Sequence, residues 1–326
     1  MKAVVCRSFG PPPDLELQEI DRPTLRDGEV RIAVHGCGVN FPDTLIIEGR
    51  YQFRPDPPFV PGCEAAGFVL EVAPDVTDVR QGDRVVALLT HGGFAEEVVT
   101  DAASVWPVPD SMDLATAAGF PFTYGTAYHA LVQRAQVAAG ETLLVLGAGG
   151  GVGVAAVAIG RALGARVIAV ASSAEKRELA QAHGAEVALD YEPAPLKSRL
   201  MPLTSGHGVD VVFDAVGGAV AEQALRSIAW NGRYLVVGFA SGSIPQMPLN
   251  LVLLKGCSIV GVFWGEAMRR EPEVHQENFR ALAELYACGK LAPAITEYAG
   301  IERVPEAIAA LRDRRATGKI VVRIAD

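Results

Sequence analysis

Hydrophobic positions along the chain change their rhythm near residue 120. Before it, short alternating runs at 29–34, 65–73, 83–89 and 96–100 are separated by Gly and Pro turns, the pattern of a β-rich, turn-rich region. From Tyr124 to about Gly265 the apolar runs become continuous and alternate with helical segments. Strands are predicted at 142–146, 166–171, 187–190, 209–214, 234–237 and 258–262. Continuous apolar strands alternating with helices predict an α/β region with a doubly wound parallel sheet. A helix over 274–288, another over 305–315 and a strand over 319–324 follow. The turn-rich first part and the short tail are expected to pack as one domain, with the α/β region inserted between them.

The most informative run is Thr142 to Gly153, which reads TLLVLGAGGGVG and leads into an apolar helix over 154–163. A glycine turn between a buried strand and a helix lets a phosphate approach the backbone. The helix N-terminus then supplies N–H groups to hold the anion. Gly150, Gly151, Val152 and Gly153 are the candidate cradle. Aligned on its last glycine the turn reads Ala148-x-Gly150-x-x-Gly153, with alanine in place of the first glycine of the common dinucleotide pattern.

The tip of the second strand separates the two pyridine coenzymes. An acid there binds ribose hydroxyls, and its absence accommodates a 2′-phosphate. Here the tip reads Ala171-Ser172-Ser173-Ala174-Glu175-Lys176. No acid stands at the end of the strand. Ser172, Ser173 and Lys176 are placed to meet a phosphate, which favours NADPH. The alternative is that Ser173 only caps the next helix while Lys176 points to solvent.

Composition narrows the partners. The 326 residues are 50% hydrophobic and 21% charged, with a formal net charge of −9. An acidic balance argues against nucleic acid or an anionic membrane as the main partner, and Arg312, Arg314 and Arg315 read as a solvated helix face. No secretory pattern and no bilayer-length apolar stretch is visible. The five cysteines are odd in number and scattered, so a reduced, cytoplasmic protein without disulfides is expected.

Several stretches, in order, carry a family resemblance: GVNFPD from Gly38, PGCEAAG from Pro61, GDRV from Gly82, YGTA from Tyr124, the glycine turn, FDAVGG from Phe213 and GVFWG from Gly261. With these the chain resembles the zinc-free NADPH:quinone oxidoreductase (zeta-crystallin-like) branch of the medium-chain dehydrogenase/reductase superfamily. The resemblance implies a GroES-like β-barrel catalytic domain, residues 1–123 completed by 266–326, and a Rossmann domain, residues 124–265, with the active site in the cleft between them. It implies that Thr126, Val216, Phe239, Ser241 and Phe263 line the nicotinamide half of NADPH. Tyr191 would join Ser173 and Lys176 at the 2′-phosphate, unless it is simply a surface aromatic.

The same resemblance bears on metal. Zinc relatives have a cysteine where this chain has Asn40, a histidine where it has Cys63, and a third ligand near Phe122. A catalytic zinc needs three protein ligands, so no metal is expected and Cys63 reads as a small apolar filler. His129 reads as packing or polar support. Reduction of a quinone or an α,β-unsaturated carbonyl compound then requires only alignment and stabilisation of charge on oxygen. Asn40 is the candidate polar group at this centre, donating to the acceptor oxygen or fixing a water or ribose hydroxyl, and Tyr51 is the candidate donor that orients substrate or relays a proton. Asp43 is the candidate support for the Asn40 loop. A nucleotide-binding structural or regulatory protein with little turnover stays open as the alternative. The family pairs the strand near 258–262 across a two-fold axis, so a homodimer is expected.

Overall fold

The structure is a computed structural model that describes residues 1–192 and 194–325. The chain divides into two compact units, Met1–Phe122 with Ile295–Asp326, and Thr123–Ala294.

The first unit opens with β1 (Lys2–Val5), β2 (Glu16–Glu19) and the long β3 (Glu29–Gly38), followed by α1 (Phe41–Ile46). Next come β4 (Glu64–Val72), β5 (Arg84–Leu88), β6 (Glu97–Asp101), β7 (Val105–Pro107) and α2 (Leu114–Gly119). Strand β3 is the hub of this unit. It runs antiparallel to β4 and β6, and β5 and β7 extend the sheet beyond β4. Alternation along β3 sends Val30, Ile32 and Val34 into the core, as the period of two in a pleated strand requires.

The second unit begins inside α3 (Pro121–Tyr128) and adds β8 (Thr142–Leu146), α4 (Gly151–Ala162), β9 (Arg166–Val170) and α5 (Ala174–Ala182). It continues through β10 (Val187–Leu189), α6 (Leu196–Leu203), β11 (Val209–Asp214), α7 (Ala219–Arg226), β12 (Ile228–Val236) and α8 (Leu249–Lys255). Strand β13 (Ser258–Gly261), α9 (Trp264–Arg270) and α10 (Pro272–Ala287) complete it. All six strands run parallel in the order β10-β9-β8-β11-β12-β13. Chain order reverses between β8 and β11, and a doubly wound sheet opens its ligand crevice at the carboxyl ends of the strands there. Helix α4 is buried along most of its length, which its apolar sequence demands.

The chain then returns to the first unit through β14 (Ile295–Ala299), α11 (Val304–Arg312) and β15 (Lys319–Arg323). Strand β15 joins β3 antiparallel on one side and β14 parallel on the other.

Two expectations change. Residues 266–294, assigned to the first domain from sequence, belong to the second unit. There α10 packs through Asn278 on Gln133. Strand β12 begins at Ile228 rather than Tyr234. Within it Asn231 has a positive φ of 61°. The strand passes through this irregularity with a shift in register against β11.

Candidate functional site

The glycine turn sits at the carboxyl end of β8, beside the reversal point. Gly147 holds the left-handed conformation, with φ at 76°, so the tight turn is carried one residue before the alanine at which the motif departs from the common pattern. Helix α4 starts at Gly151 and not at Val154. Gly151, Val152 and Gly153 therefore form its first turn, where N–H groups have no acceptor within the helix. A Cβ on Gly153 would clash with the Gly147 carbonyl and the Ala148 backbone. Strand and helix approach too closely here for any side chain.

Lys176 crosses the same turn. Its stem lies so close to Gly149 that a Cβ there would overlap it, and partial burial lowers its pKa. Ser173 caps α5 by accepting the Lys176 N–H at 3.3 Å, while Ser172 beside it is exposed. Tyr191 is engaged at the turn itself. Its hydroxyl accepts the Gly147 N–H at 2.9 Å and reaches the Val170 carbonyl at 3.5 Å.

The residues expected around the nicotinamide half divide into two groups. Val216, Phe239 and Ser241 come together on the loops that follow β11 and β12. The Ser241 N–H donates to the Val216 carbonyl at 2.8 Å, and a Cβ on Gly217 would press on the Phe239 ring at 2.9 Å. A Cβ on Gly147 would meet Val216 at 2.9 Å, so this group borders the glycine turn. Thr126 and Phe263 form the second group. Thr126 follows Gly125, over which the Trp264 ring packs, and Phe263 precedes that tryptophan at the start of α9 and is exposed. His129 is buried, bonded to Gln133 at 3.3 Å and 5.4 Å from the His275 ring, in keeping with polar support.

In the first unit Asn40, Asp43 and Cys63 share a buried polar network with two residues that sequence reading missed, Glu64 and Lys319. The Lys319 ammonium contacts Glu64 Oε1 at 2.5 Å, Asn40 Oδ1 at 2.6 Å and the Val39 carbonyl at 2.9 Å. Three acceptors saturate its three N–H groups. Glu64 also accepts the Asn40 amide at 3.0 Å and the Phe122 N–H at 2.9 Å. With Gly38 O as a further acceptor at 3.4 Å, the Asn40 amide is engaged on both its oxygen and its nitrogen. It is 4% exposed. The expectation that Asn40 donates to an acceptor molecule gives way to an internal role.

Asp43 does support that loop. As the third residue of α1 it accepts the Asn40 N–H at 2.7 Å and the Cys63 thiol at 3.3 Å. Burial outweighs these bonds and the Lys319 charge, and raises its pKa to about 6. Burial and the Asp43 carboxylate push the Cys63 thiol well up, so it stays protonated. Tyr51 packs against the same core. Burial, with the nearby Cys63 and Asp43, raises its phenol to about 12, and its hydroxyl makes no hydrogen bond among the described residues.

Two family models match the chain. Residues 26–110 match the alcohol dehydrogenase GroES-like domain and residues 151–287 match the zinc-binding dehydrogenase family. A quinone oxidoreductase-like protein 2 homolog from Nematostella vectensis is 41% identical over 98% of this chain and 88% of its own length. The quinone oxidoreductase of Thermus thermophilus, solved also with NADPH, is 36% identical, with a TM-score of 0.85 over 99% of this chain and all of that one. The Escherichia coli quinone oxidoreductase, solved with NADPH, is 26% identical with a TM-score of 0.91 over 99% of this chain and 100% of that one. Fold and sequence together define a medium-chain dehydrogenase/reductase. Within that superfamily the chain belongs to the quinone oxidoreductase branch, a family of NADPH-binding reductases.

The zinc named by one family model does not fit this donor set. Asn40 is bonded to Lys319 and Glu64, Cys63 is a protonated thiol, and a lysine ammonium lies among the oxygens. Among the described residues no group of three or more His, Cys, Asp or Glu side chains is placed to hold a metal, against the three ligands a catalytic zinc requires. Among the same residues no helix is long and apolar enough to cross a membrane.

Proposed function

We propose that the protein is an NADPH-dependent, zinc-independent reductase of quinones or α,β-unsaturated carbonyl compounds. The observation that carries this reading is the first turn of α4, whose free N–H groups stand at the carboxyl end of β8 with Lys176 lying across the turn. Gly150, Gly151, Val152 and Gly153 would hold the pyrophosphate. Ser172, Ser173 and Lys176 would meet the 2′-phosphate, and Tyr191 would brace the turn. Thr126, Val216, Phe239, Ser241 and Phe263 would bound the nicotinamide half. Bound NADPH supplies a hydride equivalent to an electron-poor double bond.

Tyr51 of the first unit is the proposed donor in this chemistry. Hydride arrival at a quinone or at an enone β-carbon leaves charge on an acceptor oxygen, and a hydrogen-bond donor there lowers the barrier. A phenol with a pKa of about 12 remains protonated at neutral pH, so Tyr51 can donate a hydrogen bond to that oxygen and relay a proton to it from water, ending protonated as it began. Asn40 and Asp43 serve as positioning residues that fix the start of α1. The test is NADPH oxidation measured with and without a quinone, a short enone or an enoyl thioester, in buffer containing a chelator. Turnover that requires the acceptor and ignores the chelator supports the proposal. Oxidation independent of any acceptor, or loss of activity restored by zinc, overturns it.

A homodimer is part of the same reading. Strand β13 is bonded to β12 on one side and ends the sheet on the other, and sheet edges of this kind pair or need cover. The helix preceding it presents Leu249, Leu253 and Leu254 to solvent. Light scattering at micromolar concentration should report twice the mass of one chain, and a monomer would count against it.

A further inference from the structure

We infer that Tyr234 is a positioning residue for hydride transfer, acting through Asp214 on the loops that carry Val216, Phe239 and Ser241. The inference rests on the proposed role of those three residues at the nicotinamide half and extends it to a side chain in the middle of the sheet core.

Tyr234 lies on β12 and is 1% exposed. Its hydroxyl donates to Asp214 Oδ2 at 2.5 Å. Burial and the adjacent carboxylate push its pKa up, so the phenol remains a donor. Asp214 ends β11 and is itself buried. Its Oδ1 accepts the N–H groups of Val216 at 2.8 Å and Gly217 at 2.9 Å. Its backbone carbonyl accepts Val237 N–H at 2.9 Å and Gly238 N–H at 3.2 Å. One aspartate therefore ties the exit of β11 to the exit of β12. The tie continues outward, with Ala240 N–H on the Ala215 carbonyl at 3.1 Å and Gly218 N–H on the Ser243 carbonyl at 3.0 Å.

The loop needs such an anchor. Gly217 and Gly218 both adopt positive φ, 66° and 65°, a pair of conformations that only glycine tolerates freely and that costs it the most backbone entropy. Two N–H groups aimed at one carboxylate oxygen fix where this turn begins. The Tyr234 hydroxyl occupies the other oxygen and sets the rotation of the carboxylate. Removing that hydroxyl frees the carboxylate to turn and lets Val216 and Ser241 drift together. The coenzyme's other half should be affected far less, because its proposed anchor is the first turn of α4, whose N–H groups belong to a separate, buried helix.

Tyr234→Phe is the test, a loss of one oxygen. Hydride transfer is sensitive to small misplacement, so kcat is expected to fall about tenfold, with a larger isotope effect from NADPH deuterated at the transferred position. The dissociation constant for NADPH should change by less than about twofold, and the preference over NADH should be kept, since the anchoring half is intact. In the coenzyme-free protein, amide exchange should quicken at Val216 and Gly217 while β8 and β11 stay protected. Asp214→Asn, which preserves shape, should give the same signature should the phenylalanine variant fail to fold. A lower Tm with unchanged kcat and isotope effect would reduce Tyr234 to a core residue and overturn the inference. So would weakened NADPH binding at unchanged kcat. Phe239→Ala separates the two levels. If it leaves kcat unchanged, the nicotinamide assignment itself falls. If it lowers kcat while both Tyr234→Phe and Asp214→Asn leave it unchanged, only the inference falls.

Discussion

The glycine turn of the second unit and the Asn40 network of the first both organise polar groups, by opposite means. The turn uses main-chain N–H groups on residues adjacent in sequence, kept open by glycines. The network uses side chains from α1 and its cap, from the start of β4 and from β15, with Lys319 and Asn40 279 positions apart along the chain. A backbone site is robust to side-chain chemistry but intolerant of volume. A side-chain site tolerates volume elsewhere but fails when one charge is lost.

Substitutions can press on that contrast. Lys319→Met leaves Glu64 as an uncompensated buried charge, and removing one partner of such a pair costs about 3–5 kcal/mol. Urea unfolding should register the loss, and adding Glu64→Gln should recover a large part of it. A cost no larger than that of an exposed pair would mean that the network is not a unit.

Asp43 gives the network a pH signature. Its pKa rises from 3.8 to about 6 on folding, so between those values the folded state binds more protons than the unfolded one. Stability is then greatest below pH 4 as far as this group is concerned and declines as pH rises through 6, by up to about 3 kcal/mol. Asp43→Asn should flatten that slope in denaturation curves taken across the window. An unchanged slope would refute the assignment.

The backbone site should fail by volume. Gly153→Ala puts a methyl group against the Gly147 carbonyl, and NADPH binding should weaken on the order of a hundredfold, about 2.7 kcal/mol, in a fluorescence titration. Adding a methyl at exposed Gly265, where a Cβ meets nothing within 4 Å, should leave binding alone. The smallest effect belongs to Lys176→Ala. It should cost roughly tenfold for NADPH and little for NADH, as expected for one charge-assisted contact to phosphate. Equal losses for both coenzymes would remove Lys176 from the phosphate.

Sequence patterning carried the parallel sheet well because its strands are buried on both faces and read as unbroken apolar runs. Strands β8, β9 and β11 start where the patterning placed them and end there or one residue earlier. The start of α4 was displaced by three residues because glycines read as turn even when they form the first turn of a helix. Asp43 beside Asn40 was legible, since an acid three residues past a cap position is a local signal. Lys319 and Glu64 were not, because their partnership exists only once β15 lies against β3. The usable hint was chemical: an acid heads the apolar run of β4, a base heads that of β15, and buried charges are expected in pairs. The internal role of Asn40 was hidden for the same reason, since its partners are remote in sequence.

The split between the two units also sets an order of events during synthesis. Residues 123–294 form a continuous segment that can acquire its sheet as it leaves the ribosome. The unit begun by β1 must wait for Lys319, because Glu64 lacks its counter-charge and β3 lacks one neighbour until the tail has been made. The nascent chain therefore carries an unfinished barrel past a finished insert, and long-range closure of this kind is slow and exposed to aggregation. Chaperone demand should concentrate on that interval.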